Sequence, residues 1–402
     1  MPNARRAPAP RRPRLAALLL LGAALPLAMR ALAPPSALPQ VLADLAAACA
    51  DGRPYLVTAC YAATAGDPAP SLPSLVRFRD TPDDAGQRLL AGHAQLGSVW
   101  GLAYDAAGGD LYAGSFRKRG VAFGPGGAGA VYRLDLASGE VQLFARLAEA
   151  SEGGGSSAGS GDRDDSAALH EAGRQGLGDL DLDAAAGLLF VVNLADRRIH
   201  ALSLADGRPL GSWPHGAAAE PWAEEARPFG LALHQGRLYH ALVRSAETGG
   251  REEGLAARVY SSRYDGGDLR LEVRLPLAGP RGSLRPAPDA PARSLSWQPW
   301  RDALPEAEAG AFALGPQPLA ADIAFSAADE MVLGLRDRLV DLSDPALAAG
   351  LPLALGLGDL RVARREGDAW RFLPAEGRFM DAVAGSDQAA QGGLAAWPQG
   401  RA

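Results

Sequence analysis

Gly101-Leu102-Ala103-Tyr104-Asp105, followed by a short turn and the apolar run Leu111-Tyr112-Ala113, is a phrase that the chain repeats. It returns as Asp179-Leu180-Asp181-Leu182-Asp183 before Leu189-Phe190-Val191-Val192, and as Gly230-Leu231-Ala232-Leu233-His234 before Leu238-Tyr239-His240. A fourth copy is Asp322-Ile323-Ala324-Phe325-Ser326 before Met331-Val332-Leu333, and an incomplete fifth is Gly393-Leu394-Ala395-Ala396-Trp397. Short alternating runs on either side of a turn are antiparallel hairpins. Two more strand-like segments follow each of the first three copies, joined by Ala137-Ser138-Gly139, Ala205-Asp206-Gly207 and Asp265-Gly266-Gly267. Four antiparallel strands per repeat make the blade of a β-propeller.

The copies begin at residues 101, 179, 230, 322 and 393, wider apart than the ~40–50 residues of a bare blade. Residues 148–176, rich in Gly, Ser and Asp, and residues 276–318, rich in Pro and Ala, account for the excess as insertions between strands. Before the first copy, Tyr55 to Cys60, Leu75 to Phe78 and Arg88 to Ala91 read as strands without a phrase of their own. Leu394 to Trp397 can supply the missing strand, which gives an all-β propeller of about five blades closed by a C-terminal strand. The other count is an unfinished ring of six to seven blades. One propeller domain is expected over residues 54–398, with a linker at 34–53 and a tail at 399–402.

Composition sets the compartment. Arg5, Arg6, Arg11, Arg12, Arg14 and Arg30 are the only charges in the first 30 residues, and they flank the apolar run Leu15 to Met29. With Ala31-Leu32-Ala33 as a cleavage site, residues 1–33 read as a signal peptide or as an uncleaved N-terminal anchor. Export to the medium, the cell surface or the periplasm follows, with membrane contact only through that segment. The formal net charge of −6 hides a body near −12 once those arginines are set aside. An acidic body argues against nucleic acid as a partner. Cys49 and Cys60 are the only cysteines. In an oxidising compartment a disulfide is their default use, although Cys49 also follows a run of alanines like a lipoprotein acylation site.

Chemistry is harder to place. Asp179, Asp181 and Asp183 alternate with leucines and so share one side of a strand. If that strand is innermost, Asp179 and Asp181 face the central channel, with Asp322 at the equivalent place in another blade. These three carboxylates are candidates for Ca²⁺, which takes six to eight oxygens; the competing use is acceptance of backbone N–H bonds. Arg117-Lys118-Arg119, Ala195-Asp196-Arg197 and Arg336-Asp337-Arg338 fall after the second strand of three repeats, as corner-forming residues. Trp297 and Trp300 suit either sugar stacking or capping of a blade edge.

Three motif matches lack their context. Gly124 to Gly129 fits GxGxxG but precedes a strand where a helix is needed. Gly155-Ser156-Ser157-Ala158-Gly159 lies in a Gly/Ser tract without a nucleophile elbow. Asp162, Asp164 and Ser166 start a Ca²⁺ loop that Ala167 and Gly173 do not complete. The histidines form no HxxxH or HExxH pair that would suit zinc.

Several phrases together resemble the propeller-like head region of large exported bacterial surface proteins that often carry serine-aspartate-repeat B-like modules. They are Phe123-Gly124-Pro125-Gly126-Gly127, Gly176-Leu177-Gly178-Asp179-Leu180-Asp181, Arg227-Pro228-Phe229, Trp297-Gln298-Pro299-Trp300 and Leu333-Gly334-Leu335-Arg336-Asp337-Arg338. The resemblance spans roughly residues 50–397 and implies a non-enzymatic, exported binding or scaffolding module. No B-like module follows, and the chain stops at Ala402 where the family pattern opens another blade. A more distant likeness to gluconolactonase-type propellers implies Ca²⁺ held by Glu, Asn and Asp. Asn193 lies beyond the inner strand and no Glu matches, so that ligand set does not carry over.

The expected function is a monomeric cell-surface propeller that binds an unidentified surface ligand or protein partner through loops 117–129, 148–176 and 276–318. No catalytic residue is assigned. The alternative is a Ca²⁺-dependent lactonase-like hydrolase built on the channel carboxylates.

Overall fold

The computed structural model describes residues 55–60, 72–79, 87–118, 121–148, 166–284, 293–302, 315–342, 358–374 and 392–395. Their strands form five antiparallel sheets in a five-bladed β-propeller, plus a separate hairpin. Strands β1 (Tyr55–Ala59), β2 (Pro73–Arg79) and β3 (Arg88–Gly92) make one sheet, and β4 (Val99–Asp105), β5 (Asp110–Ser115), β6 (Ala130–Asp135) and β7 (Val141–Arg146) the next. β8 (Leu177–Asp183), β9 (Leu188–Asn193), β10 (Arg198–Ser203) and β11 (Pro209–Pro214) follow, then β12 (Ala226–His234), β13 (Arg237–Arg244), β14 (Ala256–Ser262) and β15 (Arg270–Pro276). After the hairpin of β16 (Pro280–Leu284) and β17 (Arg293–Ser296) comes the sheet of β18 (Pro318–Phe325), β19 (Glu330–Asp337), β20 (Asp359–Glu366) and β21 (Ala369–Phe372). The six- to seven-bladed alternative is thereby set aside.

Each blade buries its faces against the next. β4 to β7 meet β8 to β11 through Ala103, Tyr112, Val131, Leu177, Leu180, Leu189 and Val191, all buried. The following interface is built on Phe190, Val192, Ile199, Phe229, Leu231 and Leu238. The next gathers Val243, Val259, Ile323, Met331, Leu333 and Leu335 around Trp297. Leu75, Leu90, Leu96, Val99 and Tyr132 seat the sheet of β1 to β3 on the sheet of β4 to β7. Outer strand β11 is mostly exposed and β7 about half so, with no fully buried residue in either.

The repeated phrase has a structural cause. In all four inner strands the pairing to the second strand shifts just where the phrase begins, between Val99 and Leu102, Leu177 and Leu180, Pro228 and Leu231, and Ala320 and Asp322. A bulge re-aims the chain and lets one backbone approach another closely. At Gly101 an added Cβ would sit 2.4 Å from the Gly178 carbonyl oxygen and 2.9 Å from the Asp179 Cα. At Gly230 it would sit 2.9 Å from the backbone nitrogen of Asp322. Glycine is required at both places because the neighbouring inner strand occupies the space of a side chain.

Two features differ from expectation. Strands β20 and β21 lie beyond the strands expected from the fourth copy, and the 276–318 insertion contains the β16–β17 hairpin. Arg361, Arg364 and Arg365 break the alternation of β20, although Leu360, Val362 and Ala363 are buried. Residues 1–33, Cys49, Arg119, Trp397 and the segments 149–165, 285–292 and 303–314 lie outside the described residues.

Candidate functional site

The inner strands line the channel with carboxyl groups in an ordered column. Asp179 accepts the Leu180 N–H at 2.9 Å on Oδ1 and, on Oδ2, the Leu231 N–H of the next blade at 3.0 Å. Asp181 repeats this one step along, taking the Leu182 N–H at 2.8 Å and the Leu233 N–H at 2.6 Å. Asp322 takes the Leu394 N–H at 2.7 Å, so Leu394 stands to Asp322 as Leu231 stands to Asp179.

Asp179 and Asp322 lie close enough for the charge of one to disfavour ionisation of the other. Burial above all, and then the charge of Asp322, push Asp179 well above the usual carboxylate range. Burial likewise raises Asp322, against the opposing effect of the Leu394 bond. Asp181 is pushed up to about 6, again by burial. Among the described residues no group of three or more His, Cys, Asp and Glu side chains is placed to hold a metal.

One end of the channel is plugged. Trp100, Phe116 and Phe229 pack with ring centroids 5.5 to 6.2 Å apart. The Arg336 guanidinium lies 3.8 Å over Trp100 and pairs at 2.8 Å with Asp341, both side chains being buried. Lys118, the one lysine of the chain, donates from Nζ to the carbonyls of Val99 at 2.8 Å and Cys60 at 3.2 Å. Burial lowers it to about 8, with Asp341 opposing the shift and Arg336 adding to it. Of the recurrent residues after the second strands, Arg117, Lys118, Arg336, Asp337 and Arg338 are thus used inside the fold, whereas Asp196 is exposed and Arg197 reaches the carbonyls of Ala223 and Glu224 near the surface. Arg338, fully buried, donates to the carbonyls of Leu169, Ala172 and Arg301 and to Gln317 Oε1. Trp297 and Trp300 are buried too, with Trp300 Nε1 donating to the Pro318 carbonyl, so both belong to blade packing.

The other end is open. Where β4, β8 and β12 finish, Tyr104, Asp105, Leu182, Asp183, His234 and Tyr264 help line a pocket of about 460 Å³. Tyr104 is 53 % exposed. Tyr264 donates its hydroxyl to Asp183 Oδ2 at 3.0 Å. Burial first, then the Asp183 carboxylate, push that phenol up to about 12. Asp183 Oδ1 accepts the Ala186 N–H, and Asp105 Oδ1 the Ala107 N–H. His234 stacks on Phe325 at 3.9 Å and is bonded to Asp329 at 2.6 Å.

Asp179, Asp181 and Asp322 are brought together along the channel, whereas the pocket residues Tyr104, Asp105, His234 and Tyr264 were not singled out from sequence. A signal was present: Asp105, Asp183 and His234 close three copies of the phrase, so the same position in each repeat reaches the same mouth. The Cys60 thiol is free and is pushed up to about 11 by burial; its expected partner Cys49 is outside the described residues.

No protein-family profile matches the chain. Colossin-A of Dictyostelium discoideum is 29 % identical over 300 residues, 71 % of this chain and 3 % of that protein. Colossin-D of the same organism is 30 % identical over 168 residues, 40 % of this chain and 18 % of that protein. Among solved structures, that of a nidogen/laminin complex matches with a TM-score of 0.34 at 13 % identity, covering 71 % of this chain and 90 % of that one. A GH43 protein of Bacillus licheniformis matches with a TM-score of 0.39 at 11 % identity, covering 86 % of this chain and 56 % of that one. The chain is a five-bladed β-propeller with distant homology to the Dictyostelium colossins, and it spans a small part of their length.

Proposed function

We propose that this chain is an exported binding and scaffolding module of the cell surface that takes its ligand at the open mouth of the propeller channel. The observation that supports it is the division of labour along the channel. The inner carboxyls Asp179 and Asp181 spend both oxygens on backbone N–H groups of their own and the neighbouring blade. The mouth, by contrast, has room and a half-exposed Tyr104. The arginine-flanked apolar run at the N-terminus supports export. The other reading, a Ca²⁺-dependent lactonase-like hydrolase, needs Asp179, Asp181 and Asp322 free to bind metal.

Thermal melting of the wild type and of Asp322→Asn, with and without Ca²⁺, separates the two. An asparagine keeps a carbonyl for the Leu394 N–H and removes the charge that raises Asp179. The folded pair holds a proton that the unfolded chain releases near its ordinary value of ~3.9, so the stability it contributes declines as pH rises through the raised folded range. Above neutral pH the variant is therefore expected to melt no lower than the wild type, with neither responding to Ca²⁺. A bound ion at a hundred times its Kd would add about 2.7 kcal/mol. A Tm that climbs with Ca²⁺ in the wild type and not in Asp322→Asn would overturn the binding-module reading in favour of the hydrolase.

A further inference from the structure

The mouth pocket has a one-sided lining. Asp105 and Asp183 contribute to it, and neither Arg nor Lys does, although the chain carries 40 of these two residues. Its other titratable groups are already engaged. His234 is held by Asp329 and Phe325, and the Tyr264 hydroxyl by Asp183. Asp183 receives one donor on each oxygen, and each carboxylate oxygen has a second lone pair to offer. Aromatic surface is present as well, since Tyr104 is 53 % exposed and Tyr264 lines the same space. Alanines 106, 107 and 184 with Leu182 and Leu233 supply an apolar wall. Immediately inward, Asp181 on β8 adds a further carboxyl group whose donors are the Leu182 and Leu233 N–H groups.

An anion entering this space would meet the Asp183 carboxylate and no arginine or lysine, with His234 already bonded to Asp329. A cation meets counter-charge and ring faces together, the pairing by which aromatic cages recognise ammonium groups. The body of the chain, at about −12, steers in the same direction. We infer that the pocket binds an ammonium group carried on a short apolar stem, with Tyr104 and Tyr264 as the aromatic walls and Asp183 as the counter-charge. This inference rests on the mouth being the ligand seat, as proposed above. The volume of about 460 Å³ accommodates a small amine or the end of a basic side chain.

Calorimetric titration of the full chain with choline and with its neutral isostere 3,3-dimethylbutan-1-ol tests it. Choline is expected to bind in the millimolar range and the alcohol about tenfold more weakly. Tyr104→Ala and Asp183→Asn are each expected to weaken choline several-fold, by roughly three to ten times. Neither change should disturb the fold, because Tyr104 is half exposed and an asparagine can accept the Ala186 N–H on its carbonyl and donate its amide to the Tyr264 hydroxyl oxygen; melting curves check this. Equal binding of both probes, lost in Tyr104→Ala and untouched by Asp183→Asn, would keep the mouth as a ligand seat and overturn the ammonium assignment. Choline binding that ignores both substitutions would place it elsewhere and overturn the assignment too. Failure of both probes to bind up to roughly 10 mM would remove the seat itself.

Discussion

His240 lies fully buried on the second strand of its blade, stacked on Tyr260, with Nε2 accepting the Gly216 N–H at 2.9 Å. Burial lowers it to about 3, and the neighbouring His215 is lowered to about 4 by the same cause. A histidine kept neutral in the fold costs stability once the unfolded chain can protonate it. The loss begins as pH falls below the ordinary value of ~6.5 and grows by about 1.4 kcal/mol per unit per group until the folded values are reached. Replacing His240 with Gln retains an acceptor for Gly216 while removing the titration. Denaturant melts of His240→Gln should show a shallower decline than the wild type between pH 6.5 and 3; parallel curves would refute the assignment. Individual residues of this kind were poorly legible in the sequence. His240 sits in an apolar alternating run that predicts burial, but nothing in that run reveals that Gly216 would satisfy it. The pairing of Asp179 with Asp322 joins positions on non-neighbouring strands, which spacing along a chain cannot disclose.

Elements were far easier to read. Alternation and Asp-Gly turns located β4 to β15, because each strand buries one face and its turns need polar or glycine residues. The bulge at the head of each inner strand was visible only as the recurrence of a small or acidic residue. Its meaning appeared when Gly101 was found against the Asp179 backbone. Gly101→Ala forces a Cβ into the Gly178 carbonyl and should cost about 1–3 kcal/mol, the usual range for overpacking. Gly109→Ala, at a turn where an added Cβ meets nothing within 4 Å, provides a control for the backbone effect of a positive φ of 74°. If Gly101→Ala is no more destabilising than that control, close approach of the inner strands is not what selects glycine. Strands β20 and β21 went unread because the adjacent Arg364 and Arg365 fall on opposite faces of β20 and are both exposed, so the second half of the strand shows no alternation.

At the scale of the molecule, the incomplete fifth phrase carried the prediction of a closed five-bladed ring. The described residues 392–395 are not part of a strand, yet Leu394 makes the same bond to Asp322 that Leu231 makes to Asp179. Leu394→Pro deletes that N–H and leaves a buried carboxyl oxygen short of a donor, a loss of about 1–3 kcal/mol. Its melting curve should shift down while Leu394→Ala, which retains the N–H, shifts less. Equal shifts would assign the contribution of this segment to side-chain packing. The fold was therefore open to sequence reading. The ligand seat is assembled from the ends of separate repeats, which only the side-by-side packing of three blades brings together.

The first residues of the five phrases read Gly, Asp, Gly, Asp and Gly around the circle. Strict alternation of two kinds around an odd-membered ring is impossible, so two members of one kind must meet. Here the doubled pair is Gly393 and Gly101. At the other four junctions either an aspartate takes an N–H from the next blade or a glycine admits the next aspartate's backbone. The fifth-to-first junction has neither device among the described residues, and the space around Gly393 is open. An odd number of phrases thus leaves one junction of the circle with neither a bonded aspartate nor a close-packed glycine, and among the described residues it is the one that follows Gly393.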